Sequence, residues 1–512
     1  MVAIPFLSRA RQRAFDGAEE TVRTNERELK YDLFTQISYM ASLATAKVSR
    51  DILFTRAASL NLSSTPYFKE INTLVNRLSY DYAEACRAVS ERVKDHEVST
   101  LLKRMAGSLN SGEDEAEFLT REAAVLAELY VAEYERDVES LRKWTDAYSA
   151  LIVSAGLIVV VSIISLMIYS LGLGIVLGTV GITITLCLGG AWVIYASVPR
   201  EGFTRAAGLS SGLQLRAVFL LRAVVPVGIA AGVLTWALGM STGVAFIAIG
   251  LSLLPAGWTM QRDARRLARQ DSDIANTVRL LGGVTSAIGT TVRDAIGKID
   301  RRSLASLEQD VRRLEIRMNA GISPNACWRR FVKETGSELI ERTVRIFWDA
   351  LTLGGEAGRT GKNAAFFASR IAIIREKRGL VSGMFGYLVW PMHASMVGLM
   401  IFIVTIMDLF ATSLANAAPP LEGGRGGVPS AAVMAGFNSF AGVDFDLLKA
   451  LIMAVVVALT AGNALAPWLA AGGHRLRLAF YLGITMILTG VMVAFLPGMA
   501  QSIFNTITAH PA

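Results

Sequence analysis

Charge is nearly missing from long stretches of this chain and crowded into others, and no other feature restricts its fold so much. Residues 261–383 hold 23 Lys or Arg against 14 Asp or Glu, a net of +9, which exceeds the net of +8 for all 512 residues. Around this insert lie apolar stretches at 149–171, 173–197, 223–239 and 242–260 before it, and at 384–407, 447–466 and 478–497 after it. A bilayer core takes a helix of roughly 20 mainly apolar residues and penalises each buried charge by several kcal/mol. The seven stretches are therefore expected to be transmembrane helices, and the insert to lie in water. The residues before the first stretch, with 20 basic and 24 acidic side chains, form a second water-soluble region.

Apolar residues in both polar regions return every three or four positions, as at Ile71, Leu74, Val75 and Leu78, or Val98, Leu101, Leu102 and Met105. This is the period of an amphipathic helix. The expected architecture is all-α: a polytopic membrane protein with about seven transmembrane helices and two cytoplasmic helical bundles, at 31–148 and 261–383, preceded by an N-terminal cytoplasmic segment at 1–30. The opening MVAIPFLSRARQR has too short an apolar run for a signal peptide. Short loops set the orientation through their Lys and Arg. Arg200, Arg205, Arg216 and Arg222 face a single Glu201 in one loop, and Arg262, Arg265, Arg266 and Arg269 follow the fourth span. The loop from Asp408 to Asp446 has four acidic residues and only Arg425. A cell-membrane protein with its N-terminus in the cytoplasm and its C-terminus outside satisfies every loop.

Little in the sequence suggests catalysis. Cys86, Cys187 and Cys327 stand alone, and His96, His393, His474 and His510 fall in different regions without acidic or cysteine partners at ligand spacing. Gly354–Asn363 superficially resembles a phosphate loop. It has Glu356 where that loop needs Gly, and Asn363 where it needs Ser or Thr. Neither a cofactor nor an enzyme activity is expected. His393 and Asn463 are polar residues inside spans, suited to helix packing or to lining a pathway.

The two polar regions look duplicated. MASLATAKVSRDILF, Met40 to Phe54, overlays LEIRMNAGISPNACW, Leu314 to Trp328, without a gap, placing Ala46, Val48 and Ser49 on Ala320, Ile322 and Ser323. Farther on, SLNSGED from Ser108 leads to Phe118 and TLGGEAG from Thr352 leads to Phe366 before each region enters a span. In these residues the chain resembles the F-domain family of type II secretion and type IV filament machines, in particular the two-domain platform proteins of archaella and archaeal pili. The resemblance implies a membrane platform on which a hexameric secretion ATPase acts, pilin-like filament subunits as further partners, and a homodimer. Basic residues in the middle of the insert have no membrane to explain them. Arg312, Arg313, Arg329 and Arg330, with Arg359 and Lys362, are expected to attract an acidic face of that ATPase or the acidic first region. Basic residues flanking the spans suit membrane lipids. No nucleic acid is expected, because aromatic residues are not interleaved with the basic ones. The alternative reading is a secondary transporter with large cytoplasmic helical domains, since duplicated units with spans are common there.

Overall fold

The computed structural model describes residues 26–168, 173–198, 212–417 and 445–509. Most of segment 1–30, the turn at Gly172, the loop residues Arg200, Glu201 and Arg205, and Arg425 lie outside the described residues. Among the described residues the regular elements are helices, with no strand. Seven of these helices are long and apolar enough to cross a membrane. The chain divides into two compact units.

The first unit takes the described residues of Met1–Arg136 and Arg266–Glu376. It begins with α1 (Glu26–Ala44), α2 (Arg50–Ala58), α3 (Thr65–Leu78), α4 (Tyr82–Ser90) and α5 (His96–Ser111). It continues with the start of α6 (Glu115–Ile168) and the end of α9 (Thr242–Ile288). Then come α10 (Val292–Lys298), a 3-10 turn, α11 (Glu308–Asn319), α12 (Pro324–Thr335), α13 (Glu338–Thr352) and the start of α14 (Ala357–Ala417). Capping fixes several starts. The side chains of Ser49, Asp81, Asp95 and Ser337 accept from backbone N–H groups in the first turns of α2, α4, α5 and α13, satisfying donors that have no partner within the helix.

Helix α1 is buried nearly all round, and its neighbours include helices more than 300 residues away in sequence. The Phe34 ring lies 5.0 Å from that of Phe367, and Tyr31 stacks on Tyr130 at 5.6 Å and on Phe367 at 6.3 Å. Phe34 and Ile37 are fully buried, and burying each such side chain stabilises by about 2 kcal/mol. The two polar regions thus share one core. Segments that touch in this way must lie on the same side of any membrane the spans cross.

The duplication read from sequence has a geometric counterpart. Helix α1 ends in a turn whose Lys47 takes φ 51°, and α11 ends in a turn whose Gly321 takes φ 77°. In the ungapped overlay these two residues coincide. The Lys47 N–H donates to the Ala44 carbonyl and the Gly321 N–H to the Met318 carbonyl, 3.0 and 3.1 Å. Ser49 and Ser323 then occupy the N-cap positions of α2 and α12. Each segment of the later pair holds a left-handed glycine, Gly112 at φ 71° and Gly354 at φ 88°, followed three residues on by a long helix. Helices α3 and α4 have no counterpart in the second half.

The second unit takes the described residues of Asp137–Val198, Ser211–Arg265 and Lys377–Ala512. It holds the apolar parts of α6, α9 and α14, with α7 (Leu173–Ser197), α8 (Gly212–Ala237), α15 (Phe445–Ala471) and α16 (Leu478–Ala509). Small residues let these helices approach closely, as is usual in a bilayer. A Cβ on Gly243 would lie 2.6 Å from the Gly490 carbonyl oxygen, and one on Gly250 would lie 2.9 Å from that of Gly483, so α9 and α16 touch backbone to backbone.

Candidate partner-binding surface

Helices α11 and α12 form a hairpin joined by the turn at Gly321, and residues 319–325 are all exposed. The hairpin carries Arg312, Arg313, Arg329 and Arg330, each exposed. Its inner positions Leu314, Met318, Cys327, Trp328 and Phe331 are buried. The helical period therefore leaves the arginines no place but the outer face. Glu334 organises this face. It receives both terminal nitrogens of Arg317 at 3.0 and 2.6 Å and Arg330 Nε at 3.3 Å, with Arg313 Nη1 at 3.9 Å. Burial opposes ionisation of Glu334, but Arg317, Arg330 and Arg313 overcome it and hold the carboxyl below the usual range. Arg313 also meets Asp310 at 3.5 Å.

Two of the four arginines are thus partly neutralised within the hairpin. Arg312 and Arg329 have no ionic partner among the described residues. Beside them stand Ile316 and Ile322, 57% and 46% exposed, so the face combines unpaired positive charge with apolar area. Arg359 and Lys362 are carried by another element, the first turns of α14, where both are exposed.

The glycines around Arg359 and Lys362 serve packing. A Cβ on Gly361 would lie 2.9 Å from Gly282 Cα and from the Val278 oxygen, so α9 and α14 cross here at a distance only glycine permits. Gly354 ends α13 in the left-handed region.

Two basic residues near the end of the insert are interior. Arg375 and Arg378 are 7% and 2% exposed. Arg375 belongs to an ionic chain through the first unit that sequence inspection missed. Its Nη1 bonds Asp271 at 2.9 Å, and Asp271 also accepts from the Ser337 hydroxyl. Arg375 Nη2 lies 3.9 Å from Glu338, and Glu338 holds Arg342 at 2.6 Å. Arg342 reaches Asp32 of α1 at 2.6 Å and Thr35 at 2.9 Å. Its guanidinium lies 4.1 Å from the centroid of the Tyr31 ring. Burial opposes the charge on Arg342, but Tyr31, Glu338 and Asp32 outweigh it and push its pKa above the ordinary arginine value. Asp32 and Arg342 lie 310 residues apart, and no local pattern joins them.

In the second unit His393 and Asn463 do meet. Tyr148 donates its hydroxyl hydrogen to Asn463 Oδ1 at 2.9 Å, and Asn463 Nδ2 lies 3.1 Å from His393 Nδ1. His393 Nε2 lies 2.9 Å from Thr489 Oγ1, which is 2.8 Å from Thr460 Oγ1. Thr460 donates to the Val456 carbonyl. With the Asn463 amide donating to Nδ1, His393 carries its hydrogen on Nε2 and every member is satisfied. The chain ties α6, α14, α15 and α16 together.

Comparison with curated proteins finds two relatives. One is the Flagella accessory protein J of Methanocaldococcus jannaschii, 25% identical over 353 residues. The other is the Flagella accessory protein J of Methanococcus voltae, 24% identical over 352 residues. Each match covers 64% of this chain and 62% of the relative's own length. No family model matches the chain, and no solved structure matches it.

Proposed function

We propose that this chain is the membrane platform of a type IV filament machine, an archaellum or a pilus, or of a related type II secretion machine. The supporting observation is the pairing of a helical body, built from both polar regions, with seven apolar helices, in a chain similar to two flagella accessory proteins. In this reading the first unit faces the cytoplasm and the C-terminus lies outside. A hexameric secretion ATPase acts on the cytoplasmic body and pilin-like subunits pass from the membrane into the filament beside the spans. The platform is a homodimer and catalyses no reaction; the ATPase supplies the energy.

The hairpin of α11 and α12 is the proposed ATPase contact, with Arg312 and Arg329 as its available charges and Ile316 and Ile322 as its apolar centre. Arg359 and Lys362 extend the contact from α14. Deleting the gene should remove surface filaments seen by electron microscopy, and restoring it should return them. A strain that keeps its filaments overturns the platform reading. In the full-length protein, Arg312→Glu with Arg329→Glu should reduce ATPase co-purification about tenfold, the effect of roughly 1.4 kcal/mol, with membrane insertion unchanged. Undiminished co-purification removes the hairpin from the contact.

A further inference from the structure

We propose that the second unit binds an anionic phospholipid headgroup on an aromatic ledge formed by α9, α14 and α16. Four rings run in series across these helices. Tyr387 meets Trp390 at 5.7 Å between centroids, Trp390 meets Phe480 at 6.2 Å, and Phe480 meets Trp258 at 6.2 Å. The two end rings are open, Tyr387 at 65% and Trp258 at 58% exposure, while Phe480 between them is buried. Exposed Leu251, one heptad before Trp258, and exposed Leu388, beside Tyr387, continue the ledge along the apolar faces of their spans. Rings with an apolar body and a polar tip settle at the boundary between hydrocarbon and headgroup.

Cations stand at the same end of α9 and α16. Arg262 and Arg265 follow Trp258 by four and seven residues on α9, which puts them on its face of the helix. Arg475 lies in the short turn that leads into α16. All three are exposed and have no ionic partner among the described residues. Arg477 in the same turn is fixed to Gln261 at 2.6 Å and to the Gly472 carbonyl at 3.4 Å, and lies 5.8 Å from the Tyr481 ring.

A phospholipid answers all of these groups at once. Its phosphate suits the guanidinium forks, and its chains cover the exposed rings and leucines. A second protein would cover the rings without a stated need for the cations.

The test uses the full chain in a neutral detergent, with dioleoylphosphatidylglycerol or dioleoylphosphatidylcholine added in equal amounts. Phosphatidylglycerol should raise the melting temperature by roughly 5 °C more than phosphatidylcholine, as expected for a ligand near a hundred times its dissociation constant. Replacing Arg262, Arg265 and Arg475 by Gln should abolish the difference, and replacing the same three by Lys should keep it. Equal shifts with both lipids, an unchanged difference in the glutamine variant, or the same shift with inorganic phosphate alone would overturn the proposal. So would disulfide trapping of two chains through Tyr387→Cys, which would make the ledge an interface between copies.

Discussion

Glu334 shows how much of a surface can depend on one carboxylate. Its depressed pKa gives the hairpin stability that is complete above the ordinary glutamate range and lost as pH falls through the folded-state value. Acidification should therefore loosen α11 from α12, and Glu334→Gln should remove that pH dependence. The substitution should cost about 1 kcal/mol at neutral pH, because the pairs around it are partly exposed, and a urea titration at several pH values reads both effects. In the second unit His393→Leu leaves the Asn463 amide and the Thr489 hydroxyl without their partner. Measured coupling between His393 and Asn463 in a double-mutant cycle should be about 1 kcal/mol, the range of hydrogen bonds between membrane helices. The exposure of Arg312 and Arg329 could be read from their spacing against Leu314 and Phe331. The burial of Arg375, next to the fully buried Ile374, could not, since its partner Asp271 lies in another helix 104 residues away.

At the scale of elements, the two matched turns invite opposite substitutions. Lys47 holds a left-handed conformation that side chains other than glycine adopt at a cost of roughly 1 kcal/mol. Lys47→Gly should stabilise the first unit by less than that, because glycine also frees the unfolded chain. Gly321→Ala in the matching turn should destabilise by about 1 kcal/mol, and thermal melting of both variants separates the signs. The spans and the alignment of Ser49 with Ser323 were legible because hydropathy and turn chemistry are local. The central place of α1 was not. Asp32, Gln36, Ser38 and Ser42 give it the look of a surface helix, yet all are buried. Asp32 pairs with Arg342, and Gln36 donates to the Ala57 carbonyl at 2.9 Å.

For the whole molecule, the shared core of the first unit makes a topological demand. Cysteines placed at Ser111 and Asn319, both exposed, should react with a membrane-impermeant maleimide from the same side of sealed vesicles, and the proposed orientation makes it the cytoplasmic side. Reaction from opposite sides would contradict the packing of α1 on α13. That packing also governs how the protein can be dissected. A fragment cut out at 261–383 would bare the oily flank on which Phe34 rests and would strand Arg342 without its distant carboxylate. Such a piece should clump or be degraded when made alone. Two polypeptides divided between the fourth and fifth spans and made in the same cell should find each other again, each supplying the surface its sibling lacks.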